Sequence, residues 1–374
     1  MPITPAIRFR ALDSLRGLAA VIVMLNHTVL SIPEGSQGPF LQYIGPASAM
    51  GGRFAVMLFF VLSGFVLALP YFAGTNSAYG PYLVRRFCRV YPPFAFAVLV
   101  AALLCHLLGG RSLPMVSAWP NDAWSSPVTW GVVLSHLLMT GIHFSAIRLD
   151  SPAWSLIIEM RVSIIFPLLV LYVRRFGWSG VAAALVAAFA CAKARAALGE
   201  TSLFVAESLT GTILLTGRYA ALFFLGVIVA ARLDQIKEMM VRVAPKLHGG
   251  IFIGMVFILM MVTYMKEAGI HIGYVDMFFG MFTMYLIVLC VTFPRFAKHL
   301  SGSVSLWLGD ISYSLYLIHT PVLLAVFYLL NGRMSLGGMI ALALPAMLIA
   351  GHVMHYLIER PSMIVGRKLA RAIR

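Results

Sequence analysis

The chain of 374 residues is 61% hydrophobic and only 11% charged, and it carries a formal net charge of +15. A soluble domain of this size cannot hide so much apolar surface, and the regular apolar/polar alternation of a transmembrane barrel is absent. What remains is an all-α, polytopic integral membrane protein. Its basic excess reads as a topology signal and an affinity for anionic lipid, not as a sign of nucleic-acid binding.

Hydropathy in chain order predicts ten spans, near 14–32, 53–71, 92–109, 153–173, 178–195, 210–231, 249–266, 275–293, 307–330 and 336–358. A further apolar run from Thr129 to Ile142 is short and contains His136, which suits an interfacial or re-entrant segment. With ten spans and the N-terminus inside, 19 of the 28 lysines and arginines collect on the cytoplasmic side. An eleventh span would move every later loop across the membrane and dissolve that bias. Both termini are therefore expected in the cytoplasm, and residues 1–374 form a single membrane domain ending in a short basic tail, 361–374. The first apolar run follows Arg8 and Arg10 as a signal peptide would, but the small-residue pattern Ala47-Ser48-Ala49 lies too far downstream for cleavage. The four cysteines are scattered and suggest neither a disulfide framework nor a metal site.

Titratable side chains inside apolar spans are costly and mark candidate function. In the first span, Asp13 and Arg16 stand one turn apart at the cytoplasmic start, either as an interfacial ion pair or as part of a site. His27, with Asn26 beside it, follows Arg16 by eleven residues, about three turns or roughly 16 Å along the same face. Ahead of the third span, Arg85, Arg86 and Arg89 fit the positive-inside bias, and arginine forks also bind phosphate. Trp154-Ser155-Leu156 opens the fourth span, and Ser155 and Glu159 share a face. A carboxylate there needs a cation or a histidine, or serves a structural pair. In the ninth span Ser312, Tyr316 and His319 fall on one face, as an interhelical staple or as a site, and Glu359-Arg360-Pro361 closes the last span as a clamp or anchor.

Neutral imidazole is a competent general base near neutral pH. A deep histidine, a nearby carboxylate and cytoplasmic arginines for a phosphate-bearing donor together suit acyl transfer across the membrane. No nucleophile elbow, P-loop, Rossmann fingerprint or HExxH points to another reaction. The different-class alternative is a proton-coupled transporter or flippase using the same residues as a relay.

Five motifs in order then resemble one family. They are Leu12-Asp13-Ser14-Leu15-Arg16-Gly17 with ten residues separating Arg16 from His27, Phe59-Phe60-Val61-Leu62-Ser63-Gly64-Phe65, Arg86-Phe87-Cys88-Arg89 with Val90-Tyr91-Pro92, Trp154-Ser155-Leu156 followed by Glu159, and Ser312 to His319. Over nearly its whole length the chain resembles the membrane acyltransferase 3 family, whose members typically O-acetylate sugars. The resemblance implies a bacterial inner-membrane enzyme with acetyl-CoA, or another acyl-CoA, as cosubstrate and no tightly bound cofactor or metal. The acceptor it implies is an envelope glycan, a glycolipid such as lipopolysaccharide, or another hydroxylated molecule. It places Arg16 and His27 in the essential core and Glu159 at the family's acidic position, and Glu159 or another polar group is expected to orient the His27 imidazole. It implies that Arg86 and Arg89 handle the acyl-CoA donor or shape its entry, and Asp13, Trp154, Ser155, Tyr316 and His319 are further site candidates. Met160 to Ser163 depart from the family by lacking the aromatic residues often found after the acid.

Overall fold

A computed structural model describes residues 9–36, 38–75, 78–142, 149–200, 202–204, 206–265 and 272–373. Arg8, Arg374 and the last residue of the span expected at 249–266 lie outside this set. The described residues form fourteen α-helices and no strand. Hydrocarbon imposes that outcome, because backbone groups without water must be satisfied within one segment or in a closed barrel.

In chain order these are α1 (Arg10–Leu30), α2 (Pro39–Phe72), α3 (Tyr79–Leu108), α4 (Ala118–Ala123), α5 (Trp130–Leu137), α6 (Ala153–Ala197) and α7 (Leu209–Ala231). There follow α8 (Leu233–Arg242), α9 (Pro245–Met265), α10 (Ile272–Thr292), α11 (Pro294–Leu300), α12 (Ser303–Leu330), α13 (Leu336–Met354) and α14 (Arg360–Ala372). A π-helical turn, His355–Glu359, joins α13 to α14.

Among the described residues, seven helices are long and apolar enough to cross a membrane, or eight if the bent pair α8 and α9 is one broken span. Two features separate this count from the ten spans read from hydropathy. Helix α1 carries Asp13, Arg16, Asn26 and His27, which dilute its apolar character. Helix α6 runs for 45 residues, but its backbone breaks at Gly177, where φ is 53° and ψ is −129°. That conformation suits glycine and penalises a side chain. A straight helix of this length would extend about 68 Å, more than twice the hydrocarbon thickness. The break falls where the spans expected at 153–173 and 178–195 meet. Helix α5 has eight residues, about 12 Å, too short to cross.

The packing is inside-out in the manner of membrane proteins. Leu103, Leu107, Leu168, Val186 and Ile349 face outward, while Phe60, Tyr219, Phe223 and Phe327 are buried among the helices. Among the described residues, glycines let facing backbones approach most closely at two crossings. A Cβ on Gly64 or Gly226 would strike the backbone of the facing helix, which locks α2 to α7. A Cβ on Gly17 would likewise strike Leu308 and Gly309, and one on Gly309 would meet the Asp13 carbonyl. Small residues permit such approach where lipid gives helices no hydrophobic reason to associate.

In the loop ahead of α6, Asp150 is fully buried and neither carboxylate oxygen has a hydrogen-bond partner among the described residues. Burial pushes its carboxyl well above the usual carboxylate range. The folded state then binds a proton that the unfolded chain releases near pH 4, so this group's contribution to stability declines as pH rises above that value. Thermal unfolding in detergent should show this decline in the wild type and a flatter profile for Asp150→Asn. Gly17→Leu should lower stability by about 1–3 kcal/mol through overpacking, measured in the same assay.

Candidate active site

Helices α1 and α12 meet at Gly17 and Gly309 and again at His27 and His319. The offset is the same at both places (309 − 17 = 292 and 319 − 27 = 292), so the helices run parallel and in register. His27 Nδ1 lies 2.7 Å from His319 Nε2, and the ring planes differ by 16°. On the other side of His319, Nδ1 lies 3.1 Å from the Leu315 carbonyl oxygen. A carbonyl only accepts, so His319 Nδ1 carries the proton and its Nε2 carries the lone pair. His27 Nδ1 then donates to His319, and in the neutral ring this leaves the lone pair on His27 Nε2. The Thr320 hydroxyl, 3.2 Å from His319 Nε2, is a second donor to that atom. Trp119, in the short helix α4, stacks on the His27 ring at 5.0 Å with planes 4° apart.

His27 opens onto a cavity of about 390 Å³ whose walls include Asn26, Arg53, Trp119, Trp154 and Tyr316. Arg53 donates from Nε to Asp276 Oδ1 at 2.6 Å, and Arg218 donates to Oδ2 at 2.8 Å. Asp276 is fully buried, and this triad ties α2, α7 and α10 together at the cavity wall. Charges removed from water survive only in such arrangements.

At the other end of α1, a second cavity of about 760 Å³ is lined by Asp13, Arg16, Arg86, Arg89, Glu159 and Glu359 among others. Arg86 forms an ion pair with Glu159 and donates to the Ser163 hydroxyl at 2.8 Å. The Ser63 hydroxyl adds a 3.1 Å bond to Glu159. Arg89 donates to the Met363 sulfur at 2.9 Å. Arg16 has no hydrogen bond or ion pair among the described residues, although it lines both this cavity and the constriction above it.

The constriction has a volume of about 20 Å³, room for about one water. Phe59, Phe60, Ser155 and Tyr316 narrow it, and the Ser155 and Tyr316 hydroxyls are 2.7 Å apart. All ten site candidates from the sequence therefore fall on, or directly behind, one path from the basic cavity to the His27 cavity. Of the two partners open to Glu159, a cation or a histidine, the structure shows the cation. The hydrogen bonds of Glu159 go to Arg86 and Ser63, and the ring partner of His27 is His319. Sequence reasoning overlooked Trp119, which lies outside every apolar run, and Met363 and Arg367, which lie beyond the last expected span. Spacing along the chain offered no signal for any of these.

Residues 9–354 match the acyltransferase domain family Acyl_transf_3. The chain is 25% identical to Acyltransferase MdmB of Streptomyces mycarofaciens over 401 aligned positions, covering 97% of this chain and 94% of that one. It is 33% identical over 181 residues to Protein 2 in picA locus of Rhizobium radiobacter, covering 44% of this chain and 83% of that protein. No solved structure matches the chain. A helical membrane architecture built around one polar path, together with a family match spanning nearly all of its length, leads to one conclusion: the chain belongs to the acyltransferase 3 family of membrane acyltransferases.

Proposed function

We propose that this protein moves an acetyl group from cytoplasmic acetyl-CoA to a hydroxyl of a cell-envelope glycan or glycolipid, with His27 as the general base. The observation that carries the reading is the His27–His319 pair, which leaves His27 Nε2 with a lone pair inside a cavity that the basic cavity can supply. The parallel run of α1 and α12 supports a topology of ten spans, since the first and ninth of ten spans also run in the same direction. In that topology both termini and the basic cavity are cytoplasmic, the His27 cavity faces the opposite side, and the enzyme sits in a bacterial inner membrane.

In this mechanism the donor's phosphates bind among the arginines of the basic cavity and its pantetheine arm passes Arg16. The Ser155–Tyr316 bond must break to let the thioester through, because the constriction admits about one water and no more. His27 Nε2 takes the proton of the acceptor hydroxyl as that oxygen attacks the thioester carbonyl. The tetrahedral oxyanion is stabilised by Arg16 or backbone donors, the C–S bond breaks, and the CoA thiolate leaves with the proton returned by His27. His319 holds the reactive tautomer and accepts the Nδ1 hydrogen bond throughout, which makes it a positioning residue. Glu159 anchors Arg86 and shapes the donor cavity. A covalent acyl group on Ser155 or His27 is the competing route.

Two cavities separated by a closed constriction are also the resting geometry of a transporter. Acceptor-dependent release of CoA thiol from acetyl-CoA separates the two, since a transporter leaves the thioester intact.

Radiolabelled acetyl should pass from acetyl-CoA into the glycan or lipid fraction of membranes holding the wild type. His27→Ala should lower that transfer by about 10²–10⁴-fold. His319→Ala should reduce kcat by about 10–100-fold, the range seen when an orienting partner of a functional histidine is lost, with the KM for the donor unchanged. Wild-type turnover in His27→Ala would remove it from the role of base.

A further inference from the structure

The chain beyond the last expected span docks back onto the donor cavity. The π-helical turn preceding α14 is anchored at Glu359, which accepts from the Ser314 hydroxyl at 2.7 Å and pairs with His355 Nδ1 at 3.0 Å. Such turns shift the register of the helix beyond them and recur at functional sites. About two turns further on, α14 is pinned to α3 at Gly366, where a Cβ would meet the Cys88 Cβ at 2.6 Å. That contact holds the neighbouring turn in place. Arg360, Met363 and Arg367, spaced for one helical face, line the basic cavity together with Arg16 and Arg89. Met363 is the residue whose sulfur takes the hydrogen bond from Arg89.

The charge arrangement at this wall calls for an anion. Glu159 is engaged by Arg86, and Glu359 by His355 and Ser314. Asp13 and Asp310 also lie on the wall. Arg16, Arg89 and Arg367 have no carboxylate within ion-pair distance among the described residues. Guanidinium forks gathered around a cavity of about 760 Å³, within the range of small-molecule sites of about 300–1,000 Å³, match the geometry of phosphate oxygens.

We propose that α14 is part of the donor site and that Arg367, acting with Arg89, holds the phosphates at the nucleotide end of acyl-CoA. This rests on the donor reading above. Arg86 is then the partner of Glu159, and the phosphate contacts come from the C-terminal helix. An anionic lipid headgroup shares the same chemistry, and α14 also bears the exposed apolar residues Ile364, Val365 and Leu369, so the test must separate the two sources.

The test is equilibrium binding of CoA, and separately of pantetheine, to the full chain in lipid nanodiscs of zwitterionic or anionic composition. Arg367→Ala should weaken CoA binding about tenfold or more, the loss of one charge-assisted contact, in both kinds of disc. Pantetheine, which lacks the phosphates, should bind wild type and variant alike. Lys368→Ala removes the same charge from α14 outside the cavity wall and should change neither. Unaltered CoA affinity in Arg367→Ala overturns the inference, as does an equal loss in Lys368→Ala or a loss confined to anionic discs. If the wild type binds no CoA at all, the donor reading falls and takes this inference with it; if it binds CoA and the variant does too, only the inference falls.

Discussion

The site depends on the direct backbone contact between α1 and α12. Glycine at positions 17 and 309 removes the side chains that would hold the two helices apart, and the parallel register set there carries ten residues along both helices to the histidines. A slip by a single residue would rotate His319 by about 100° around its axis and break the 2.7 Å bond. The same register places Tyr316 and Ser312, on the α12 turns before His319, at the constriction. One close approach thus fixes the tautomer of the imidazole pair and the narrowest part of the path.

Charge compensation organises the rest. At one end, Glu159 on α6 is held by Arg86 on α3 and by Ser63 on α2, so three helices share one carboxylate. At the other end, Asp276 on α10 is shared by Arg53 of α2 and Arg218 of α7. Asp276 is fully buried and Glu159 is exposed only to its cavity, and in low dielectric a lone charge is far more costly than a hydrogen-bonded pair. The helices are therefore cross-linked at two depths, with the polar path running between the cross-links. Arg16 stands apart, a cation at the neck of the path with no hydrogen-bonding partner among the described residues, and its charge is available to whatever passes.

The two cavities differ in character in a way that matches the two ends of a group transfer. The basic cavity is the larger and is lined by charged groups; the His27 cavity is walled by Trp119, Trp154 and Tyr316 with few polar atoms. A flat aromatic wall beside an imidazole favours a ligand that can stack and present a hydroxyl, and an arginine-rich mouth favours phosphate.

The amino-acid sequence by itself determined the class, the helices and the candidate residues. Composition excludes a soluble fold, and in an apolar span each polar side chain is conspicuous because hydrocarbon makes it expensive; this is why Arg16, His27, Glu159, Tyr316 and His319 could be picked out and why all of them lie along the path. The sequence could not say which of them pair. His27 and His319 are 292 residues apart and Arg86 and Glu159 are 73 apart, and such pairings follow from interhelical register, which depends on where glycines let backbones touch. The span count was blurred for related reasons, since α1 is polar along one stripe and α6 breaks at a glycine whose conformation hydropathy does not encode. Only the tertiary structure decided that His319 and not Glu159 holds the His27 ring, that Trp119 covers it, and that the basic C-terminal segment folds back onto the basic cavity, because each is a contact between surfaces that meet only after the helices have packed.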